Sequence, residues 1–209
     1  MRLGLLSTAR INEQLVAGAR QVGGVEVVAI GSRDRARAEA EAQKLGIPRA
    51  HGSYEELLAD PDVEAVYIAL PNSLHVEWSV RALQAGRHVL CEKPLSRRPD
   101  DVARAFDAAE RFDVVLAEAF MWRHHPQTRR LLELREEIGE LRLIRASFSF
   151  VLERAHDVRL QKALDGGALM DVGCYCVSAV RLLVGEPLTL SAQQVRGGDG
   201  VDVRLTGLL

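Results

Sequence analysis

The sequence predicts an α/β fold: a doubly wound parallel sheet, then an α+β domain on a largely antiparallel, open sheet. Three observations predict it. Short, uniformly apolar strands alternate with helical patterns up to about Phe120, the rhythm changes there, and period-2 alternation with a hairpin signal follows. The expected domains are 1–121 and 122–209, the second incomplete at its C-terminus.

The elements run in order. A strand at 2–6 leads to a helical segment through Val22, and a strand at 25–30 to an Ala/Glu/Arg-rich helix at 35–45. Ser53 with Glu56 has capping-box spacing, while Gly46 and Gly86 follow their helices as C-cap glycines. Strands at 65–69, 88–91 and 114–117 alternate with helices around 75–85 and 100–112. Such apolar strands belong to a parallel sheet covered on both faces. In the second domain, 127–138 reads as a helix ended by Gly139, and 141–152 as a long strand with period-2 features at Phe148 and Phe150. A helix from about 168 to 183 stops at Gly185-Glu186-Pro187. Strands at 189–196 and 201–209 are joined by Gly197-Gly198-Asp199-Gly200, a hairpin signal. Three strands are few for a sheet and leave a bare edge, which another copy of the chain would cover.

Composition narrows the function classes. At 47% hydrophobic and a formal net charge of -2, the chain can bury a core and has no global attraction to nucleic acid or anionic lipid. Cys91, Cys174 and Cys176 make an odd count without metal-ligand spacing, as expected of reduced cysteines in a cytoplasmic protein, and no metal site is expected. No signal peptide and no membrane-spanning apolar run are read.

The first strand ends in Ser7-Thr8-Ala9-Arg10-Ile11, where a dinucleotide fold places its glycine-rich turn. Ser7, Ala9 and Asn12 stand at the three glycine positions, so the motif alone fails, although Ser7 and Ala9 are small enough for close approach to a pyrophosphate. The second strand ends in Ser32 and Arg33, with Arg35 and Arg37 beyond. An NAD site would place a carboxylate there, whereas a hydroxyl and guanidiniums suit a 2′-phosphate, so NADP is favoured over NAD. Arg35 reads better as part of a solvated helix face.

Proton-handling groups occur twice. Lys93 stands in a Glu92-Lys93-Pro94 turn after an apolar strand; Asp171 and Tyr175 are four residues apart, on one face of a helix. A lysine ammonium and the positive charge of an oxidised nicotinamide would each lower a tyrosine pKa that is otherwise near 10. Whether Tyr175 or Lys93 takes the proton, and whether Asp171 holds the lysine or joins the relay, stays open. His125 and Arg159 are substrate contacts by position only, and His88 is a strand-start residue.

These motifs, with Ala69-Leu70-Pro71-Asn72-Ser73-Leu74-His75, Glu118-Ala119-Phe120-Met121-Trp122-Arg123-His124-His125-Pro126 and Gly166-Gly167-Ala168-Leu169-Met170-Asp171-Val172-Gly173-Cys174-Tyr175, resemble the glucose-fructose oxidoreductase / inositol dehydrogenase / MocA family. Within it, the chain is most similar to the branch of NADP-dependent D-xylose 1-dehydrogenases and dihydrodiol dehydrogenases. The resemblance implies a Rossmann domain, a second domain whose sheet serves homo-oligomerisation, and an active site in the cleft. It implies that Lys93 and Tyr175 flank a sugar or diol hydroxyl with Asp171 beside them. Leu70, Asn72 and His75 would line the nicotinamide pocket, Glu92 would approach its ribose, and Trp122 and Arg123 would close over the cofactor. A cis bond before Pro94 is also implied. Two other readings remain, a non-catalytic NADP-binding regulatory protein and an inactive fragment of such an enzyme.

Overall fold

The computed structural model describes residues 1–154 and 156–209, which form two compact units, Met1–Ala119 and Phe120–Leu209. In the first unit, strands β1 (Arg2–Leu6), β2 (Glu26–Gly31), β3 (Arg49–His51), β4 (Ala65–Ile68), β5 (His88–Cys91) and β6 (Leu116–Glu118) make one six-stranded sheet. Its order is β3-β2-β1-β4-β5-β6 and every pairing is parallel. The chain winds outward from β1 to one edge, then returns to β4 and winds to the other. That reversal beside β1 opens a crevice at the carboxyl ends of β1 and β4, where open sheets of this kind receive ligands.

Alternating side chains explain why both faces are buried. Leu3, Leu5, Ile30, Ala65 and Tyr67 pack on one face with Val16 of α1 (Asn12–Ala19) and with Ala42 and Leu45 of α2 (Arg35–Leu45). Leu6, Val66, Ile68 and Val89 pack on the other with Leu57 of α3 (Tyr54–Ala59), Trp78 and Leu83 of α4 (His75–Gln84), and Ala105 of α5 (Pro99–Arg111). Helix ends follow the expected chemistry. Ser53 accepts from the Glu56 amide at 3.0 Å, but the Glu56 carboxylate reaches back to the Gly52 amide, at 2.9 Å, rather than to that of Ser53. A cap of this kind contributes about 1 kcal/mol. Gly46 sits at φ 64 after α2, the left-handed conformation that ends a helix without strain in glycine.

The short edge strand β3 has no counterpart among the sequence expectations, since three partly exposed residues carry no periodicity. Asp60 holds this edge by accepting from Arg49 Nε at 2.8 Å and standing 2.9 Å from His51 Nε2.

The second unit contains α6 (Pro126–Leu134), a π-helical turn at Leu169–Gly173 that runs into α7 (Cys174–Val184), and an antiparallel hairpin of β7 (Ser191–Arg196) and β8 (Asp202–Leu208). The strand expected at 141–152 does not form. Residues 141–154 enter no ladder among the described residues, and Phe148 and Phe150 are 51% and 50% exposed. Alternation supplies an apolar edge, but a strand exists only where a neighbour completes its hydrogen bonds, and among the described residues β7 and β8 pair only with each other. One segment, Lys162–Val184, is long and apolar enough to cross a membrane, at a mean hydropathy of 1.5, contrary to the expectation of no such run. It is interrupted by a tight turn at Lys162–Leu164 and by Asp165 at φ 54, and it carries Asp171 and Arg181.

Candidate active site

The turn after β1 takes a glycine-like path without glycine. Ser7 has φ 133, a conformation that L side chains rarely adopt. Three bonds hold it there: its amide donates to Gly31 O at 3.1 Å, its hydroxyl to Ala69 O at 2.8 Å, and Asn12 Nδ2 donates to Ser7 O at 2.8 Å. The serine therefore supplies the tight turn that sequence reasoning assigned to glycine, and the cost falls on buried hydrogen bonds. The amides of Thr8, Arg10 and Ile11 have no acceptor among the described residues. They precede α1 at the crevice, so the turn fits a pyrophosphate despite its substitutions.

The end of β2 fits a 2′-phosphate. Ser32 is buried and Arg33 exposed, and Arg37 Nη2 donates to Thr8 Oγ1 at 3.3 Å, which joins the start of α2 to the β1–α1 turn. The nearest carboxylate, Asp34, caps α2 by accepting from the Arg37 amide at 3.2 Å. Arg35 is paired with Glu56 at 2.7 Å, in keeping with a helix-face role.

Lys93 sits in a turn fixed by several bonds, and its bond to Pro94 is cis. Glu92 donates its amide to Ile68 O at 2.9 Å, and its carboxylate accepts from the Tyr67 hydroxyl at 2.6 Å. Beyond the proline, the Leu95 amide donates to Glu118 Oε1 at 2.7 Å. His75, expected to line the nicotinamide pocket, is 1% exposed, with Nδ1 2.8 Å from Pro94 O and Nε2 2.8 Å from Leu70 O. Burial pushes its pKa below the ordinary histidine value, against the Pro94 and Leu70 carbonyls and Glu92, while Lys93 acts with burial. Asn72 opens a short turn before α4.

In the second unit, Asp171 and Tyr175 lie either side of the junction between the π turn and α7. Turns with the wider spacing recur at functional sites. Asp171 Oδ2 accepts from Arg159 Nε at 2.8 Å, and Arg159 Nη1 donates to Asp157 Oδ1 at 3.1 Å, so one guanidinium spans two carboxylates. Burial raises the Asp157 pKa, but the Arg159 amide and guanidinium outweigh it and hold the carboxyl below its ordinary value. Tyr175 is half-buried. Its ring meets Phe120 edge-on at 5.5 Å and Phe148 at 5.6 Å, and its hydroxyl lies 3.5 Å from Met121 Sδ.

The two glycines before this helix are needed sterically. A Cβ on Gly166 would overlap the Arg159 carbonyl, and one on Gly167 the Asp202 carboxylate, which accepts from the Leu169 amide at 2.6 Å. Trp122 has a buried indole N–H without an acceptor among the described residues, while Arg123 is exposed. His125 is engaged in capping α6, with Nδ1 accepting from the Gln127 amide at 3.1 Å, and His88 Nδ1 accepts from Val115 at 3.0 Å. Among the described residues no cluster of three or more His, Cys, Asp or Glu has the geometry of a metal site. Arg159 and Asp202 are the supports that sequence reasoning missed as such. They act across 12 and 33 residues of chain, through turns with no periodicity.

Comparison with known proteins gives the same picture. Residues 3–120 match the model of an oxidoreductase family with an NAD-binding Rossmann fold, and residues 125–209 match the GFO/IDH/MocA C-terminal domain. The chain is 49% identical to D-xylose 1-dehydrogenase (NADP(+)) 2 of Haloferax volcanii, over 100% of its own length and 65% of that protein. It is 37% identical to a trans-1,2-dihydrobenzene-1,2-diol dehydrogenase of Xenopus laevis, covering 99% of this chain and 64% of that one. A solved 3-ketoreductase of Actinomadura kijaniata, in complex with NADP and TDP-benzene, superposes with a TM-score of 0.84 at 38% identity. That match covers 92% of this chain and 59% of the other. The chain thus spans 65% and 64% of the length of these two curated relatives, and 55% of a dTDP-3,4-didehydro-2,6-dideoxy-alpha-D-glucose 3-reductase of Streptomyces violaceoruber.

Proposed function

Because the chain belongs to the GFO/IDH/MocA oxidoreductase family, we propose that it acts as an NADP-dependent oxidoreductase on a hydroxyl-bearing carbon of a sugar or diol. One observation carries the reading: Lys93 on a fixed turn is retained together with Asp171 and Tyr175 on one helical segment. A module that only bound a nucleotide would need none of the three. NADP, when bound, supplies the hydride acceptor.

The chain's own groups would handle the proton. In the oxidising direction the hydroxyl O–H breaks and its proton passes to Tyr175 or Lys93, while the hydrogen on the same carbon departs with its electron pair. The C–O bond becomes a carbonyl. Asp171, which accepts from Arg159, would hold the lysine or take part in the relay. Thr8, Ala9, Arg10 and Ile11 would face the pyrophosphate, and Ser32, Arg33 and Arg37 the 2′-phosphate. We further propose a cytoplasmic protein that self-associates through the hairpin of the second unit.

Steady-state assays of the 209-residue chain on a panel of aldoses and vicinal diols test the reading. Turnover with NADP exceeding that with NAD is expected. Cofactor binding without turnover on any member would favour the regulatory reading instead.

A further inference from the structure

His75 is buried at the start of α4, yet it touches two loops at once. Its Nδ1 lies 2.8 Å from the carbonyl of Pro94, and its Nε2 2.8 Å from the carbonyl of Leu70. Those loops follow β5 and β4, and the first of them carries Lys93. The β4 loop is tied in turn to the β1 turn through Ser7 Oγ and Ala69 O at 2.8 Å, and Asn12 Nδ2 holds Ser7 O. Asn12, Ser7 and His75, at 0%, 7% and 1% exposure, thus form a buried chain of side chain to backbone bonds across three adjacent loops. A buried backbone carbonyl needs a donor. Pro94 is buried, and the buried imidazole stands within hydrogen-bond distance of its carbonyl, where a bond is hard to exchange because it is sealed from solvent.

We propose that His75 is a positioning residue for Lys93: by donating from Nδ1 to the Pro94 carbonyl, it fixes the lysine's turn against the β4 loop. It touches no reacting atom. The inference rests on the proposed function for its kinetic consequence and on the fold alone for its structural one. A neutral ring protonated on Nδ1 makes the Pro94 bond, one protonated on Nε2 makes the Leu70 bond, and a doubly protonated ring makes both. The clamp on the lysine's turn requires the proton on Nδ1.

The side chains of Asn and Gln separate the two contacts. The amide nitrogen of Asn is as many bonds from Cα as histidine Nδ1, and that of Gln as many as Nε2. His75→Asn therefore keeps a donor for Pro94, and His75→Gln keeps one for Leu70. Deuterium exchange of residues 92–96 in the cofactor-free chain is the first readout. In His75→Gln it should rise about tenfold or more, and in His75→Asn it should stay within about threefold of the parent. On substrate, His75→Gln should lower kcat by about 10- to 100-fold with little change in NADP affinity, and His75→Asn should recover most of the loss. Equal exchange in both variants, or an Asn variant as impaired as the Gln variant, would overturn the proposal. If the parent shows no turnover, the functional reading fails while the exchange result still decides the clamp. If neither variant folds, imidazole nitrogen resonances of the parent decide: a protonated Nδ1 supports the clamp, and an unprotonated one refutes it.

Discussion

Tyr175, Arg33 and His75 each carry a consequence that a single substitution can test. Tyr175→Phe removes only the titrating oxygen and keeps the ring contacts with Phe120 and Phe148. Turnover should fall by about 10²–10⁴-fold with NADP binding unchanged, and a fully active variant would return Tyr175 to a packing role. Arg33→Ala should reduce the preference for NADP over NAD by about 1.5–3 kcal/mol, a charge-assisted bond's worth, as read from paired Kd titrations. An unaltered preference would remove Arg33 from the 2′-phosphate site and leave Ser32 and Arg37, the latter attached to Thr8, to hold it. His75 also makes a pH prediction. Its folded pKa lies below the ordinary value, so between the two values the unfolded chain binds the extra proton and stability rises with pH. Unfolding free energy should therefore decline as pH falls through about 6.5, and less steeply in His75→Asn. Urea titrations at several pH values would measure it, and equal slopes in both proteins would contradict it.

Local chemistry shows at the element scale how much was legible. The β1, β2, β4 and β5 strands were readable because, past a polar first residue in three of them (Arg2, Glu26 and His88), their residues are largely buried on both faces and apolar. β3 was not, being short, polar and at an edge, which is how edges resist unwanted pairing. Phe148 and Phe150 suggested a strand that the structure does not form, because periodicity records a face but not a partner. Lys93, Asp171 and Tyr175 were visible as motifs. Arg159, Asp202 and the Pro94 contact of His75 were not, since each depends on turns that bring distant residues together. The same turns make Gly166→Ala a test of the helix that carries Asp171. The added methyl would press on the Arg159 carbonyl, so the variant should lose about 1–3 kcal/mol of stability together with activity. A variant that unfolds at the parent's urea midpoint would show that this approach is not tight.

Taken as a whole molecule, the two units make different demands. The first has a six-stranded sheet covered on both faces, while the second has a two-stranded hairpin whose residues are largely exposed. Val151, Leu190 and Leu208 of the second unit are 85%, 71% and 75% exposed. Apolar surface of this kind is covered by another chain or drives aggregation. Sedimentation at micromolar concentration should therefore find oligomers or precipitate, and a stable soluble monomer would contradict self-association. The proposed reaction is hydride transfer from a hydroxyl-bearing carbon to NADP. It is tested with the member of the aldose and diol panel that turns over fastest, deuterated at the carbon bearing the reacting hydroxyl, with mass spectrometry of the cofactor after incubation. Reduced NADP carrying one deuterium is expected, and its loss when Lys93→Met replaces the parent. Reduced cofactor without deuterium, or bound cofactor left unreduced by the aldose and diol panel, would contradict it.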